Sequence, residues 1–222
     1  MSETFAESTP KSPETEVVPK KRPVRPDVYP VLERLAVLYQ KLFGTVFVPL
    51  KRGIFQDILA AHPDAFERDA LKAALSFHTR STRYLTAVAS GQQRHDLQGV
   101  AVESMAPEHV YQALLEVFRR RQARTRDDLS PKLVERMVHA FEVSGLSAQA
   151  YTERVHGHDD EANALLQCAL TEAQVRQAKN EALLRAFEGS GVTEVDTFAD
   201  MYGMDPRVVT HMLERARAML GS

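Results

Sequence analysis

Cationic and aromatic residues cluster between positions 80 and 99, where their types and spacing suit binding chemistry. The segment RSTRYLTAVASGQQRHDLQG contains Arg80, Arg83, Tyr84 and Arg94 around a polar loop. A helix that begins near Ser81 would present free backbone N–H groups and a partial positive charge. Arginine can fork to phosphate oxygens, and tyrosine offers a stacking face and a hydroxyl. One interpretation of these residues is therefore a single pocket for the end of a nucleic-acid strand.

The same residues also fit a purely structural interpretation. Tyr84 can be a partly buried core aromatic, and Arg83 can form a surface ion pair. Both are ordinary roles for these residue types. Taken without any further signal, the residues favour this structural interpretation over the pocket.

Composition sets the outer limits of the function. The chain has 222 residues, 44% of them hydrophobic, and no apolar run long enough to cross a bilayer. The first residues lack the apolar block of a secretory signal, and the single cysteine, Cys168, can form neither an internal disulfide nor a cysteine-based zinc site. We therefore expect a cytoplasmic protein without a membrane partner. The histidine cluster HGHDD at 156–160 predicts a solvated turn and no metal site, and no cofactor is expected.

Charge is distributed unevenly along the chain. Residues 1–130 carry 19 Lys and Arg against 16 Asp and Glu, whereas residues 131–222 carry 9 against 14. The two parts therefore have formal net charges of +3 and −5. A clustered basic excess is typical of a surface for a polyanion, although ordinary surface charge is the alternative. Residues 1–26 are too polar to form a core and are predicted to be disordered. Their basic patch PKKRPVRP fits nonspecific phosphate contacts and a charged linker equally well.

Hydrophobic periodicity and turn signals predict a mostly helical first domain. Helices are expected over 29–44, 52–62, 66–80, 81–91 and 106–126, with an extended segment at TVFVPLKRG. Ser81 and Thr82 are good N-cap types, and Lys72 is turned away from its helix's apolar stripe. The segment QRHDLQGVAVES predicts a small β-hairpin that turns at Gln98-Gly99.

Three blocks of this region carry a family resemblance. PLKRGIFQDI, LKAALSFHTRSTRYL and RHDLQG, in this order and spacing, resemble the ProQ/FinO domain of bacterial RNA chaperones over roughly residues 30–122. The resemblance implies a mostly helical domain with a small hairpin that binds structured RNA, typically a terminator stem-loop and its single-stranded 3′ tail. With it, the pocket interpretation of the opening cluster is favoured. The candidate RNA-binding residues are Lys51, Arg52, Lys72, Arg80, Ser81, Thr82, Arg83, Tyr84 and Arg94.

The chain departs from that family in two places. Where family members often have YTSSW, this chain reads FHTRST at 77–82, which adds the cation Arg80 and omits a bulky aromatic before Arg83. Many relatives have arginine where this chain has Lys72. The second departure is the acidic C-terminal half, which has neither a long basic linker nor a β domain.

The C-terminal half contains a faint internal repeat. AFEVSG at 140–145 returns as AFEGSG at 186–191, and HGHD at 156–159 returns as YGMD at 202–205, both displaced by 46 positions. Each unit predicts helices separated by turns at Ser-Gly and Gly, and the second has helix-turn-helix spacing. Because this half is acidic and shows no phosphate-neutralising face, duplex DNA is an improbable partner and a protein partner is favoured.

These observations predict three segments and two alternative functions. The segments are a disordered basic tail at 1–26, an RNA-binding domain at 27–126 and an acidic helical domain at 127–222. No enzyme motif is present, and the Asp pairs at 127–128 and 159–160 are expected in solvated turns. The favoured function is an RNA chaperone that binds tailed stem-loops, stabilises small RNAs or mRNAs and promotes RNA pairing. The alternative is a transcription regulator or protein-interaction adaptor that acts through the C-terminal repeats.

Overall fold

The computed structural model describes residues 27–220, and the predicted disorder and basic patch of residues 1–26 lie outside it. Helices dominate the described residues. The first region contains α1 Tyr29–Leu38, α2 Gln40–Phe43, α3 Ile54–Ala61, α4 Arg68–Thr79, α5 Thr82–Ala89, β1 Arg94–His95, β2 Ala101–Glu103 and α6 Pro107–Gln122. The second contains α7 Ser130–Ser144, α8 Ala148–Val155, α9 Asp160–Gly189, α10 Val195–Tyr202 and α11 Pro206–Leu220. The predicted fold class is confirmed: a mostly helical domain with a small hairpin, then an all-helical region with two helix-turn-helix-like repeats.

The first predicted helix is interrupted. Tyr39 leaves the helical conformation (φ −133°, ψ 59°) and separates α1 from α2. Its hydroxyl lies 3.0 Å from His62 Nε2, at the end of α3. This tertiary contact accompanies the break, which the periodicity of residues 29–44 does not reveal.

The predicted hairpin is confirmed. Strands β1 and β2 pair antiparallel, and Gly99 closes the turn at φ +75°, a conformation that glycine adopts without strain. Asp96 Oδ1 accepts hydrogen bonds from the backbone N–H groups of Gln98 and Val100, which fixes the turn. The extended segment before α3 joins the hairpin through a bridge between Leu50 and His95.

The C-terminal repeat is visible as repeated local geometry. Gly145 follows the end of α7 in the first unit, and Gly191 follows the end of α9 in the second, both with positive φ. Ser144 Oγ donates to the carbonyl of Phe141 and accepts from the N–H of Leu146. Ser190 Oγ makes the equivalent bonds to Phe187 and Val192. A buried ring packs edge-on against the Phe in each unit, Tyr151 on Phe141 and Phe198 on Phe187. The 46-residue repeat is therefore structural, and the 30-residue helix α9 is shared by both units.

The hydrophobic core continues past residue 126. One cluster of buried side chains extends from Leu35 to Ala173, and a second, smaller cluster extends from Leu184 to Ala216. Tyr111 of α6 is buried, and its hydroxyl donates to the carbonyl of Ala162 in α9. The domain boundary at 126/127 stays a prediction, and an isolated 27–126 fragment would expose this face of α6 to solvent. Within the described residues, no helix is long and apolar enough to cross a membrane.

Candidate nucleic-acid interface

Tyr84 and Arg94 meet on the backbone of one residue. The Tyr84 hydroxyl accepts a hydrogen bond from the Leu50 N–H at 3.0 Å, and Arg94 Nη1 donates to the Leu50 carbonyl at 3.0 Å. Both side chains are largely buried, with Tyr84 7% exposed and the Arg94 side chain 13% exposed. The predicted convergence of these two residues is therefore seen, although the Tyr84 ring is too buried to offer an open stacking face.

The start of α5 is capped as predicted. Ser81 Oγ accepts from the N–H of Tyr84 at 3.2 Å, so Ser81 is the N-cap residue. Arg120, from the last turn of α6, reaches the same place. Its Nη1 donates to the Arg80 carbonyl at 2.8 Å and to Thr82 Oγ1 at 3.1 Å. Arg120 therefore adds a guanidinium to the positive end of α5.

A groove of about 620 Å³, here called the α5–α6 groove, opens beside Tyr84 and Arg94. Its other wall is one side of α6. The polar lining residues are Tyr84, Arg94, Glu108, His109, Gln112, Glu116 and Arg119. Arg94 Nη2 lies 3.4 Å from His109 Nδ1, which connects the hairpin side of the groove to α6.

The groove combines hydrogen-bond donors with carboxylate acceptors. Arg94 Nε and Glu108 Oε2 are buried and lack a hydrogen-bond partner among the described residues. Burial raises the pKa of the Tyr84 phenol, so Tyr84 is neutral at pH 7 and keeps a proton to donate. Carboxylates repel phosphates but accept hydrogen bonds from hydroxyls. Glu108 therefore suits the hydroxyls of a ribose better than a phosphate group, whereas Glu116 is already paired with Arg120.

Arg83 lies outside this groove. Its Nη2 donates to the carbonyl of Thr45, and its guanidinium lies 4.7 Å from the centre of the Phe47 ring. The structure thus separates Arg83 from the pocket in which its sequence position had placed it. The cause is the helical periodicity of α5, which turns consecutive residues 83 and 84 to different sides.

Lys51 and Arg52 flank the groove region in ion pairs. Lys51 Nζ lies 2.8 Å from Asp57 Oδ2, and this contact raises the pKa of Lys51. Arg52 Nε lies 3.0 Å from Glu103 Oε1, whose second oxygen lies 3.8 Å from Arg94 Nε. Glu103 therefore holds Arg52 near Arg94.

Lys72 and Arg80 are exposed on the surface. Lys72 projects from α4 as predicted, and no ion pair is seen for either side chain within residues 27–220. Among the nine candidates, only Tyr84 and Arg94 line the α5–α6 groove in the described part of the chain. The same part contains no group of three or more His, Cys, Asp or Glu side chains that could hold a metal ion.

An acidic residue of the C-terminal half contacts this groove. Asp159 caps α9, since its Oδ1 accepts from the Ala162 N–H, and its Oδ2 pairs with Arg119, a lining residue. These bonds lower the pKa of Asp159, so the carboxylate is ionised at neutral pH. The predicted solvated turn is a short bend between α8 and α9, but Asp160 belongs to α9 and Asp159 is engaged as its N-cap.

This ion pair predicts a measurable effect of the acidic half. Asp159→Asn keeps a good N-cap residue but removes the charge that binds Arg119. If Arg119 contacts RNA phosphate, we expect the variant to bind a tailed RNA hairpin up to about fivefold more tightly, the range of an exposed ion pair. The control is Glu172→Gln, which breaks the α9 pair with Arg176 and should leave affinity unchanged. Equal affinities for Asp159→Asn and the parent chain, in a fluorescence titration, would contradict a contact between Arg119 and RNA phosphate.

Sequence reasoning missed the α6 side of the groove. Glu108, His109 and Arg119 are distant in sequence from Tyr84 and meet it only through the packing of α5 on α6. The run RRR at 119–121 was the available signal. Arg119 and Arg120 take separate roles because each faces a different neighbour.

Comparison with known proteins supports the family resemblance of residues 30–122. Residues 26–130 match the ProQ/FINO family, which confirms the resemblance predicted over 30–122. Three similar curated proteins are named RNA chaperone ProQ. The Idiomarina loihiensis protein is 41% identical over 63 residues, covering 28% of this chain and 30% of the relative. The Aeromonas hydrophila protein is 38% identical over 89 residues, covering 36% and 42%. The Shewanella oneidensis protein is 34% identical over 108 residues, covering 44% and 50%.

This chain therefore spans at most about half the length of these curated relatives. A crystal structure of a FinO-like RNA chaperone from Neisseria meningitidis is also similar. It is 30% identical, with a TM-score of 0.36 over 39% of this chain and 88% of that one. Residues 26–130 of this chain therefore form a domain of the ProQ/FINO family.

Proposed function

We propose that this protein is an RNA chaperone that binds terminator-like stem-loops by their 3′ single-stranded tails. The observation that carries the proposal is the α5–α6 groove within the family domain, where Tyr84 and Arg94 face Glu108 and Arg119. Donors and carboxylate acceptors in one groove fit a ribose that ends a strand, since its hydroxyls both donate and accept. The relatives named RNA chaperone ProQ support an RNA ligand over other polyanions.

The surrounding cations would bind the phosphates of the same strand. Arg120 lies at the positive end of α5, and Lys72 and Arg80 are exposed. Contacts with phosphate release counterions, so affinity falls steeply with salt. By holding the tail, the protein would stabilise small RNAs or mRNAs and promote pairing between RNAs, with no chemical step of its own. We place this activity in the cytoplasm.

A second candidate concerns the C-terminal half alone. Met201, Tyr202 and Val208 are exposed around the turn between α10 and α11, where a DNA-reading unit would present cations. Exposed apolar side chains favour a protein partner over duplex DNA. A protein-interaction adaptor is therefore the alternative function of this half.

Crosslinking in cells tests the proposal. Ultraviolet crosslinking and sequencing of the bound RNA should enrich the 3′ ends of structured transcripts. The matched control is the Arg94→Ala chain at equal abundance, which should lose this enrichment. Crosslinks spread evenly along transcripts, or shared by both chains, would contradict the proposal.

A further inference from the structure

A second groove lies on the far side of α6 from the α5–α6 groove. It has a volume of about 260 Å³, lies between α6 and α7, and is here called the α6–α7 groove. Successive helical residues turn by about 100°, so Arg121 lies about 140° around the helix from Glu116. The two grooves therefore occupy different sides of one helix, within about a helix diameter of each other.

The charged residues that line the α6–α7 groove are all cations. They are Arg121, Lys132 and Arg136, and no acidic side chain is among the described lining residues. None of the three is in an ion pair with a carboxylate in the part of the chain that the structure describes, whereas Arg119 and Arg120 of the same helix both are. Arg136 makes only a long 3.5 Å contact to the Ala89 carbonyl.

The charges of Arg121 and Arg136 repel each other. Burial and the nearby charge of Arg121 lower the pKa of Arg136. An anion placed among the three would relieve this repulsion and complete the hydrogen bonding of Arg136. An acidic partner within the chain would have done the same, and none is found among the described residues.

The floor of the α6–α7 groove is apolar. Its open surface is mainly the partly exposed Phe118, which lies over the buried Leu114 and Val117. An apolar and aromatic floor below unpaired cations is the combination that binds unpaired nucleotides, because the base covers the floor while the phosphates meet the cations. The groove is large enough for a base to enter it from one side.

We propose that the α6–α7 groove binds an unpaired nucleotide of a second RNA strand while the α5–α6 groove holds the first. This inference rests on the proposed function and extends it, because a chaperone that promotes pairing must bring two strands together. The shared helix α6 would hold the two strands within about 10 Å of each other.

A titration of the full chain with two RNAs in sequence tests this site. The chain is first saturated with an unlabelled tailed hairpin, and a fluorescent hexaadenylate is then added. We expect binding to the parent chain, and at least about tenfold weaker binding to Arg121→Glu/Lys132→Glu. The matched control is Arg124→Glu/Arg126→Glu, which changes the charge equally at exposed residues outside the groove and should weaken binding by no more than about threefold.

The outcomes separate this inference from the proposed function. Equal weakening in the two double variants, or no hexaadenylate binding to the hairpin-saturated parent chain, would show that the groove is not an RNA site. If the hairpin itself fails to bind, the proposed function fails, and titration of hexaadenylate alone against both variants still decides the α6–α7 groove. Tighter binding of hexaglutamate than of hexaadenylate to this groove would assign it to an acidic protein segment and overturn the inference.

Discussion

Arg94→Lys is expected to leave the fold intact and to weaken binding of a tailed RNA hairpin by about 10- to 100-fold. Lysine keeps the positive charge, but it cannot hold the Leu50 carbonyl and present a second donor to the groove, as the Arg94 guanidinium does. Hydrogen bonds to charged groups contribute roughly 1.5–3 kcal/mol, which corresponds to this range of affinity.

Arg83→Lys is the matched control for this prediction. It makes the same chemical change in the residue that the structure places against Phe47, outside the α5–α6 groove. We expect its affinity to stay within about threefold of the parent chain, since the charge is kept. Similar losses in both variants, measured on chains with equal urea midpoints, would mean that the groove has no special role.

Acidification from pH 7 to pH 4 is expected to destabilise the protein through His78 by up to about 3 kcal/mol. The His78 side chain is 4% exposed, lies among the rings of Phe43, Phe47 and Tyr84, and has no partner for its Nε2 among the described residues. Burial lowers the pKa of His78 from 6.5 to about 4. Each unit by which the pKa of His78 differs between the folded and unfolded chain contributes about 1.4 kcal/mol to the free energy of unfolding.

The sign of this effect follows from proton binding. Between about pH 6.5 and pH 4 the unfolded chain binds a proton at His78 that the folded chain does not, so stability falls as the pH falls. His78→Phe places an uncharged ring in the same aromatic surroundings and should remove this part of the slope. Carboxylates with lowered pKa, such as Asp159, contribute to acid sensitivity in both chains. Urea unfolding of the two proteins at several pH values measures the difference, and parallel curves would contradict the role of His78.

Local signals in the sequence predicted most of the elements. The N-cap Ser81, the hairpin turn at Gly99 and the turns at Gly145 and Gly191 depend on side-chain hydrogen bonds and backbone conformations set by one or two residues. The 46-residue repeat was predictable for the same reason, because its turn motifs recur in the sequence. The break at Tyr39 was not, since it coincides with a contact to His62 from another helix.

The candidate site was predicted in part. Tyr84 and Arg94 were brought together by the family blocks, but their meeting point, the backbone of Leu50, is a tertiary feature. The contributions of Glu108 and Arg119 depend on how α6 packs against α5, and the ion pair with Asp159 depends on where α9 begins. Helical periodicity places Arg83 on another side of α5, which residue types alone did not indicate.

The α5–α6 groove is expected to recognise the 3′ end of an RNA tail. The most direct measurement is a titration of the full chain, at one stated salt concentration, with three forms of one hairpin: a free uridine tail, the same tail with a 3′ phosphate, and no tail. The Glu108 carboxylate should repel a terminal phosphate, so we expect the free 3′ hydroxyl to bind at least about tenfold more tightly than either other form. Equal affinity for the three forms would contradict recognition of the 3′ end by this groove.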